Sequence, residues 1–144
     1  MPYHKATSNK EVPMRIISTR IHGIIDLVIA GTLIFMPFIF GFAAMGGAAV
    51  VIPMIFGIVL AFYSELTDDE EGILRVIRMP YHMMLDVVVA ASLMLSPYLF
   101  SFIDQPLHVW LPHVAVGLVL MIVTVLTNTV PYTRRQPRFP RSVL

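Results

Sequence analysis

Two histidine–aspartate pairs are the residues of this chain best suited to chemistry. His22 precedes Asp26 by four positions, and His82 precedes Asp86 by the same spacing. Residues four positions apart lie side by side on one face of a helix. Two copies of such a pair can present two imidazoles and two carboxylates to one point. That set can bind a divalent transition metal or relay protons. These four residues are called the quartet below.

A purely structural interpretation of the quartet competes with the functional one. Each aspartate can be neutralised by a histidine, within its own helix or across to the other pair, and the quartet then fixes the register between two halves of the fold. Ionisable residues inside a membrane span are functional by default, but shallow ones cost less free energy than central ones. Both interpretations are therefore kept.

Other histidines are weaker candidates. His113 follows Pro112 near the start of the fourth apolar run, and Pro53 occupies the aligned position of the second run. We interpret His113 as a histidine at the membrane interface, with a ligand role on the outer side as the alternative. A haem held by His22 and His82 is conceivable, but the adjacent aspartates and the shallow position disfavour it.

The composition indicates a membrane protein that lacks thiol chemistry. Of the 144 residues, 57% are hydrophobic and 13% are charged, against roughly half and a quarter in average soluble domains. The absence of cysteine excludes disulfides, thiolate metal sites and the thiol–quinone chemistry of four-helix membrane oxidoreductases. The sequence also gives no support to an enzyme with a covalent nucleophile.

Four apolar runs predict an all-α integral membrane four-helix bundle. Each run approaches the roughly 20 residues that a membrane-spanning helix needs. We expect a flexible tail at 1–14 and a basic tail at 131–144. The predicted spans cover about residues 21–42, 50–66, 80–102 and 110–129.

The first and third spans are copies of each other. Residues 15–42 align with 75–102 without a gap and share ten identities, the quartet among them. We predict two tandem repeats, 15–72 and 73–130, each with two spans, related by a pseudo-two-fold axis along the membrane normal. The shared residues form one stripe of the helix, so we expect the first and third helices to face each other. Small residues at Ala30-Gly31 and Ala90-Ala91-Ser92 would permit their close approach.

Charge placement predicts the orientation. The ten lysines and arginines lie in the N-terminal segment, the middle loop or the C-terminal tail. Positively charged loops favour the cytoplasmic side, so both termini are predicted to be cytoplasmic. The basic tail is suited to anionic lipid headgroups and indicates no nucleic-acid partner. The predicted boundary charges nearest the spans are Arg20, Arg75 and Arg78.

Several motifs resemble the SPW-repeat family of small bacterial membrane proteins. The first and third spans close in related segments, Met36-Pro-Phe-Ile-Phe-Gly-Phe42 and Ser96-Pro-Tyr-Leu-Phe-Ser-Phe102. The Arg-x-His-Gly-x-x-Asp segment at 20–26 and the Tyr-Ser-x-Leu-Thr-Asp segment at 63–68 also look like that family. Phe38 and Tyr98 stand where the family has tryptophan. The resemblance implies a four-helix fold in the bacterial inner membrane and no particular activity.

Three functional hypotheses stay open. The first is a non-enzymatic membrane protein with a structural quartet, acting through self-association or within a larger membrane complex. The second is a metal- or small-ligand-binding protein, with proton coupling as an option, that uses the quartet. The third is a lipid or quinone headgroup site at the inner boundary, formed by the quartet and the nearby arginines.

Overall fold

Four long helices account for most of the described chain. The computed structural model describes residues 16–68 and 73–128. The helices are α1 (Thr19–Ile39), α2 (Gly47–Glu65), α3 (Met79–Leu99) and α4 (Leu107–Leu126), with a short 3₁₀ turn at Ala43–Met45. Each α-helix is long and apolar enough to cross a membrane. The predicted all-α membrane fold is confirmed. The predicted tails, 1–14 and 131–144, lie outside the described residues, as do residues 69–72 of the acidic loop.

The helices begin and end one to three residues earlier than the predicted spans. At the start of α1, the Ser18 hydroxyl accepts a hydrogen bond from the Ile21 N–H at 3.3 Å, as N-cap residues do. At the other end, α1 stops two residues after Pro37. The hydrophobic pattern continues through the turn that follows, so hydropathy alone does not locate these ends.

The family-like motif at the end of α1 is a helix cap. Gly41 has a φ of 73°, the Phe42 N–H bonds to the Pro37 carbonyl at 2.8 Å, and the Gly41 N–H bonds to the Phe38 carbonyl at 3.3 Å. These two bonds define a Schellman motif. The end of α3 repeats it sixty residues later with Ser101, whose φ is 55°, in place of the glycine. The motif therefore carries the chain out of each helix and into a tight turn.

Glycines set the spacing inside each hairpin. A Cβ on Gly57 would lie 2.7 Å from the Ala30 carbonyl oxygen, and one on Gly117 would lie 2.8 Å from the Ala90 carbonyl oxygen. Thus α1 packs closely on α2 and α3 on α4. The hairpins meet mainly through α2 with α3 and α1 with α4.

This packing corrects the predicted role of the small residues. Ala30 and Ala90 contact the glycine of their own hairpin, while an added Cβ on Gly31 would meet nothing within 4 Å. Since α1 and α3 are not among the principal packed pairs, they lie diagonally across the bundle. Their longer His and Asp side chains bridge the remaining gap.

The outer surface of the bundle is apolar. Large side chains such as Phe35, Phe62, Leu95 and Val125 are more than half exposed. A continuous exposed apolar surface of this extent is incompatible with water and suits lipid. The chain is a multi-pass membrane protein.

Candidate metal centre

The quartet forms one buried cluster. His22, Asp26, His82 and Asp86 each have 0% exposed area. One ligand atom from each of the four lies within 4.8 Å of every other. Each histidine turns its Nε2 atom inward, and each aspartate turns its Oδ2 atom inward. The sequence predicted these four residues as one site, and the structure brings them together.

The shorter contacts within the quartet join the two hairpins. The His82 Nε2 atom lies 2.8 Å from the Asp26 Oδ2 atom, and the His22 Nε2 atom lies 3.0 Å from the Asp86 Oδ2 atom. Within each helix the corresponding distances are 3.2 Å and 3.3 Å. The two Nε2 atoms are 3.3 Å apart. The quartet therefore connects α1 to α3 more closely than it connects neighbours along either helix.

Two threonines orient the histidines. The Thr67 Oγ1 atom lies 2.7 Å from the His82 Nδ1 atom, and the Thr127 Oγ1 atom lies 3.0 Å from the His22 Nδ1 atom. Each hydroxyl donates its proton to the backbone carbonyl four residues earlier. It can therefore only accept from the imidazole, so each Nδ1 carries the hydrogen. Both Nε2 atoms are then directed at the quartet, as in metal sites whose histidines are held by an outer hydrogen bond.

Short extended segments hold these threonines in place. Ile17 pairs with Thr127, and Thr67 pairs with Ile77, in isolated parallel bridges. The Ile17 N–H donates to the Leu126 carbonyl at 3.1 Å, and the Ile77 N–H donates to the Leu66 carbonyl at 2.8 Å. The segment before each first helix of a hairpin is thereby attached to the end of a second helix. Hydrophobic periodicity gives no sign of these bridges.

One contact at the quartet is not repeated. The Tyr63 hydroxyl donates to the Asp86 Oδ1 atom at 2.6 Å. The residue sixty positions later is Val123, which has no hydroxyl. Among the described residues, the Asp26 Oδ1 atom is buried without a hydrogen-bond partner. Sequence analysis missed both Tyr63 and the threonines as site residues. The signal for the threonines was present, since Thr67 and Thr127 are identical at aligned positions of the two repeats, whereas Tyr63 aligns with Val123.

The four donor atoms suit a transition-metal ion. Zinc binds imidazole nitrogen at about 2.0–2.1 Å and carboxylate oxygen at about 2.0–2.2 Å, so a tetrahedral site separates its donors by about 3.3–3.5 Å. Five of the six distances among the quartet's inward-facing atoms run from 2.8 to 3.3 Å, and the sixth, between the two Oδ2 atoms, is at most 4.8 Å. The five shorter pairs would each have to open by up to about half an ångström to hold a tetrahedral zinc ion. A porphyrin does not fit, because its iron would have to lie in a macrocycle inserted between two Nε2 atoms only 3.3 Å apart.

His113 lies apart from the quartet in a backbone role. Its Nε2 atom is 3.0 Å from the Ala49 carbonyl and its Nδ1 atom is 2.9 Å from the Val109 carbonyl. Pro53 has no N–H to offer the carbonyl four residues before it, and that carbonyl belongs to Ala49. The His113 side chain thus contacts a carbonyl of the other hairpin that Pro53 leaves without its usual helical donor. It is fully buried within the bundle, and its placement at the depth of the membrane interface stays a prediction.

The predicted boundary charges lie at the helix ends near the quartet. Arg20 is in the first turn of α1, Arg78 is the N-cap of α3, and Arg75 precedes it with a φ of 53°. All three side chains are exposed. The quartet's own ion pairs join its histidines to its aspartates.

Four membrane-spanning helices around a buried His/Asp cluster define a small multi-pass membrane protein with a polar centre. The SPW repeat domain model matches residues 20–127. The chain therefore belongs to the SPW repeat family, as its motifs predicted. Neither a curated protein nor a solved structure matches the chain.

Proposed function

We propose that this protein binds one divalent transition-metal ion at the quartet and acts as a membrane metal-binding protein rather than an enzyme. The observation that carries the proposal is the convergence of two Nε2 and two Oδ2 atoms, all fully buried, within 4.8 Å of one another. Complete burial leaves no face of the cluster open to a substrate, which favours binding over catalysis.

Charge balance supports an ion at this place. Two carboxylates in an apolar bundle need compensating positive charge, because an uncompensated buried charge costs several kcal/mol. A divalent cation with two neutral imidazoles and two carboxylates has no net charge. The cluster would then meet the requirement for neutrality inside a membrane protein.

The donor types select the class of metal. Imidazole nitrogen with carboxylate oxygen suits zinc, copper, nickel, cobalt or iron, whereas magnesium and calcium prefer oxygen ligands alone. The Nδ1–H groups held by Thr67 and Thr127 fix the imidazole tautomer that metal ligation requires. We propose a transition-metal ion on these grounds, with zinc as the first ion to test.

Native mass spectrometry with elemental analysis tests the proposal. We expect one zinc ion per chain after incubation of the detergent-solubilised protein with zinc. Replacing both aspartates, Asp26→Asn with Asp86→Asn, keeps side-chain shape but removes the anionic ligands and should abolish binding. Asp104→Asn, at an exposed position in the turn before α4, is the matched control and should retain the ion. A wild-type protein that takes up no transition metal contradicts the proposal, whatever the variants do.

A second candidate is a structural role, in which the quartet joins the two hairpins without a metal ion. The hairpin-joining contacts of 2.8 and 3.0 Å are already hydrogen-bond distances, so protonated histidines can join the two halves unaided. A chelator separates the candidates. A metal present at about 1,000 times its Kd stabilises the fold by about 4 kcal/mol, so its removal should lower Tm. An unchanged Tm in the presence of the chelator favours the structural role without metal.

The hypothesis of a lipid or quinone headgroup at the quartet receives less support. The four side chains are fully buried, so no headgroup contacts them in this arrangement. A surface groove of about 440 Å³ between α3 and α4 is lined by apolar residues such as Met84, Val88 and Val125. Its lining suits an acyl chain and offers little to a polar head. Self-association or membership of a larger membrane complex stays a prediction.

We also propose the bacterial inner membrane, with both termini in the cytoplasm. The segregation of basic residues to the tails and the middle loop supports this orientation. The chain has no cysteine, so single introduced cysteines report cleanly on sidedness. Asp104→Cys should react with an impermeant maleimide from outside intact spheroplasts, and Ser142→Cys should react only after lysis. The reverse pattern contradicts the orientation.

A further inference from the structure

The quartet is nearly symmetric, and its one departure from symmetry is chemical. Both histidines donate to a threonine, and both threonines donate to a backbone carbonyl, of Tyr63 in one hairpin and Val123 in the other. At that matched position one hairpin carries a phenol and the other an aliphatic side chain. The two aspartates therefore have different surroundings although their histidine partners are equivalent.

The phenol hydrogen-bonds to the second carboxylate oxygen of only one of the two aspartates. The Tyr63 hydroxyl lies 2.6 Å from the Asp86 Oδ1 atom, and the Tyr63 ring packs edge-on against His82 at 5.0 Å. Asp86 is left with its Oδ2 atom facing the cluster. A carboxylate oxygen held in this way by a buried phenol is not available as a second metal ligand.

The other aspartate keeps its second oxygen unengaged. The Asp26 side chain is 0% exposed, and its Oδ1 atom has no hydrogen-bond partner within the described ranges. A buried oxygen left in this state costs about 1–3 kcal/mol, more when it is charged. Such atoms are rare in native proteins and require a cause. The atom belongs to the same carboxylate whose Oδ2 atom is 2.8 Å from His82 Nε2.

We infer that Asp26 binds the metal ion through both carboxylate oxygens and Asp86 through one. The inference rests on the proposed metal site and specifies its coordination. The donors are then two imidazole nitrogens and three carboxylate oxygens, a five-coordinate set that zinc and cobalt accept. Tyr63 is the residue that makes the two aspartates unequal, acting through Asp86 as a positioning residue.

Cobalt(II) absorption in the visible range tests the coordination number, because four-coordinate tetrahedral cobalt absorbs several-fold more strongly than five-coordinate cobalt. We expect the cobalt-loaded wild-type protein to give the weaker, five-coordinate spectrum. Val123→Tyr supplies the missing hydroxyl at the matched position and should engage the Asp26 Oδ1 atom. Its spectrum should gain several-fold in intensity. Val123→Phe has the same bulk without the hydroxyl and should keep the wild-type spectrum.

The outcomes distinguish this inference from the proposed metal site on which it rests. A tetrahedral spectrum in the wild type, or identical spectra for Val123→Tyr and Val123→Phe, overturns the unequal binding of the aspartates and leaves the metal site intact. Absence of any cobalt spectrum overturns both. If Val123→Tyr fails to fold, Tyr63→Phe serves instead. Release of the Asp86 Oδ1 atom should then weaken the absorption further, and an unchanged spectrum counts against the inference.

Discussion

Thr67→Val removes one hydroxyl from behind the proposed site and leaves the metal ligands untouched. The Thr67 Oγ1 atom is 2.7 Å from the His82 Nδ1 atom and is fully buried. Valine has nearly the same shape but cannot accept the imidazole proton. The Tyr63 carbonyl, which loses the hydroxyl as a donor, still accepts from the Leu66 N–H at 3.2 Å. The substitution should therefore affect the orientation of His82 much more than the packing of the helices.

The expected size of the effect follows from the chemistry of outer-shell contacts. Loss of a hydrogen bond that orients a ligating histidine reduces metal affinity by about 10–100-fold. Each tenfold change in Kd is about 1.4 kcal/mol, so the loss of binding free energy is about 1.4–2.8 kcal/mol. Thr127→Val acts on His22 through a longer contact of 3.0 Å and should fall near the lower end.

Competition with a chromophoric zinc chelator measures this affinity in detergent. Thr124→Val is the matched control, because its hydroxyl also donates to the carbonyl four residues earlier, that of Leu120 at 2.8 Å, and its side chain is also buried. This hydrogen bond lies within α4 and does not involve the quartet. We expect unchanged affinity in the control. Equal affinities for Thr67→Val and Thr124→Val would refute the view that the threonine orients a metal ligand.

Three further predictions concern the scaffold. Gly57→Ala should lower stability by about 1–3 kcal/mol through overpacking, because the added Cβ would approach a backbone oxygen. Gly31→Ala, which has open space around the added Cβ, should leave stability unchanged. Thermal unfolding of both variants measures the difference. Ser101→Gly should raise stability by about 1 kcal/mol in the same assay, since a positive φ suits glycine; no gain would contradict the strained cap. His113→Leu should cost about 1–3 kcal/mol by leaving the Ala49 carbonyl unsatisfied, with zinc binding unchanged; loss of zinc would contradict the separate role given to this histidine.

The sequence predicted the four helices and the quartet because both depend on patterns that are visible in the sequence alone. Apolar runs of spanning length identify helices in a membrane protein. The duplication of His22 and Asp26 at a sixty-residue offset marked them as a pair with His82 and Asp86. Their convergence required only that duplicated helices turn matched faces inward. Whether a segment forms a helix, and which of its residues share one face, follow from the local sequence.

What the sequence did not predict depends on tertiary contacts. Thr67 follows the end of α2, where hydropathy predicts nothing, and it reaches His82 only because an extended bridge holds the two segments together. Likewise, Ala30 was expected to face the third helix but contacts Gly57. Both alternatives place a small residue at a helix interface, and spacing along one helix does not identify the partner helix.

The zinc K-edge X-ray absorption spectrum of the loaded protein tests the central claim most directly, because it detects the atoms bound to the ion. The quartet predicts a first shell of nitrogen and oxygen at about 2.0–2.2 Å, with outer scattering from two imidazole rings, those of His22 and His82. A shell of oxygen alone, or a spectrum without imidazole scattering, would show that zinc binds elsewhere and would contradict the assignment of the quartet as a metal site.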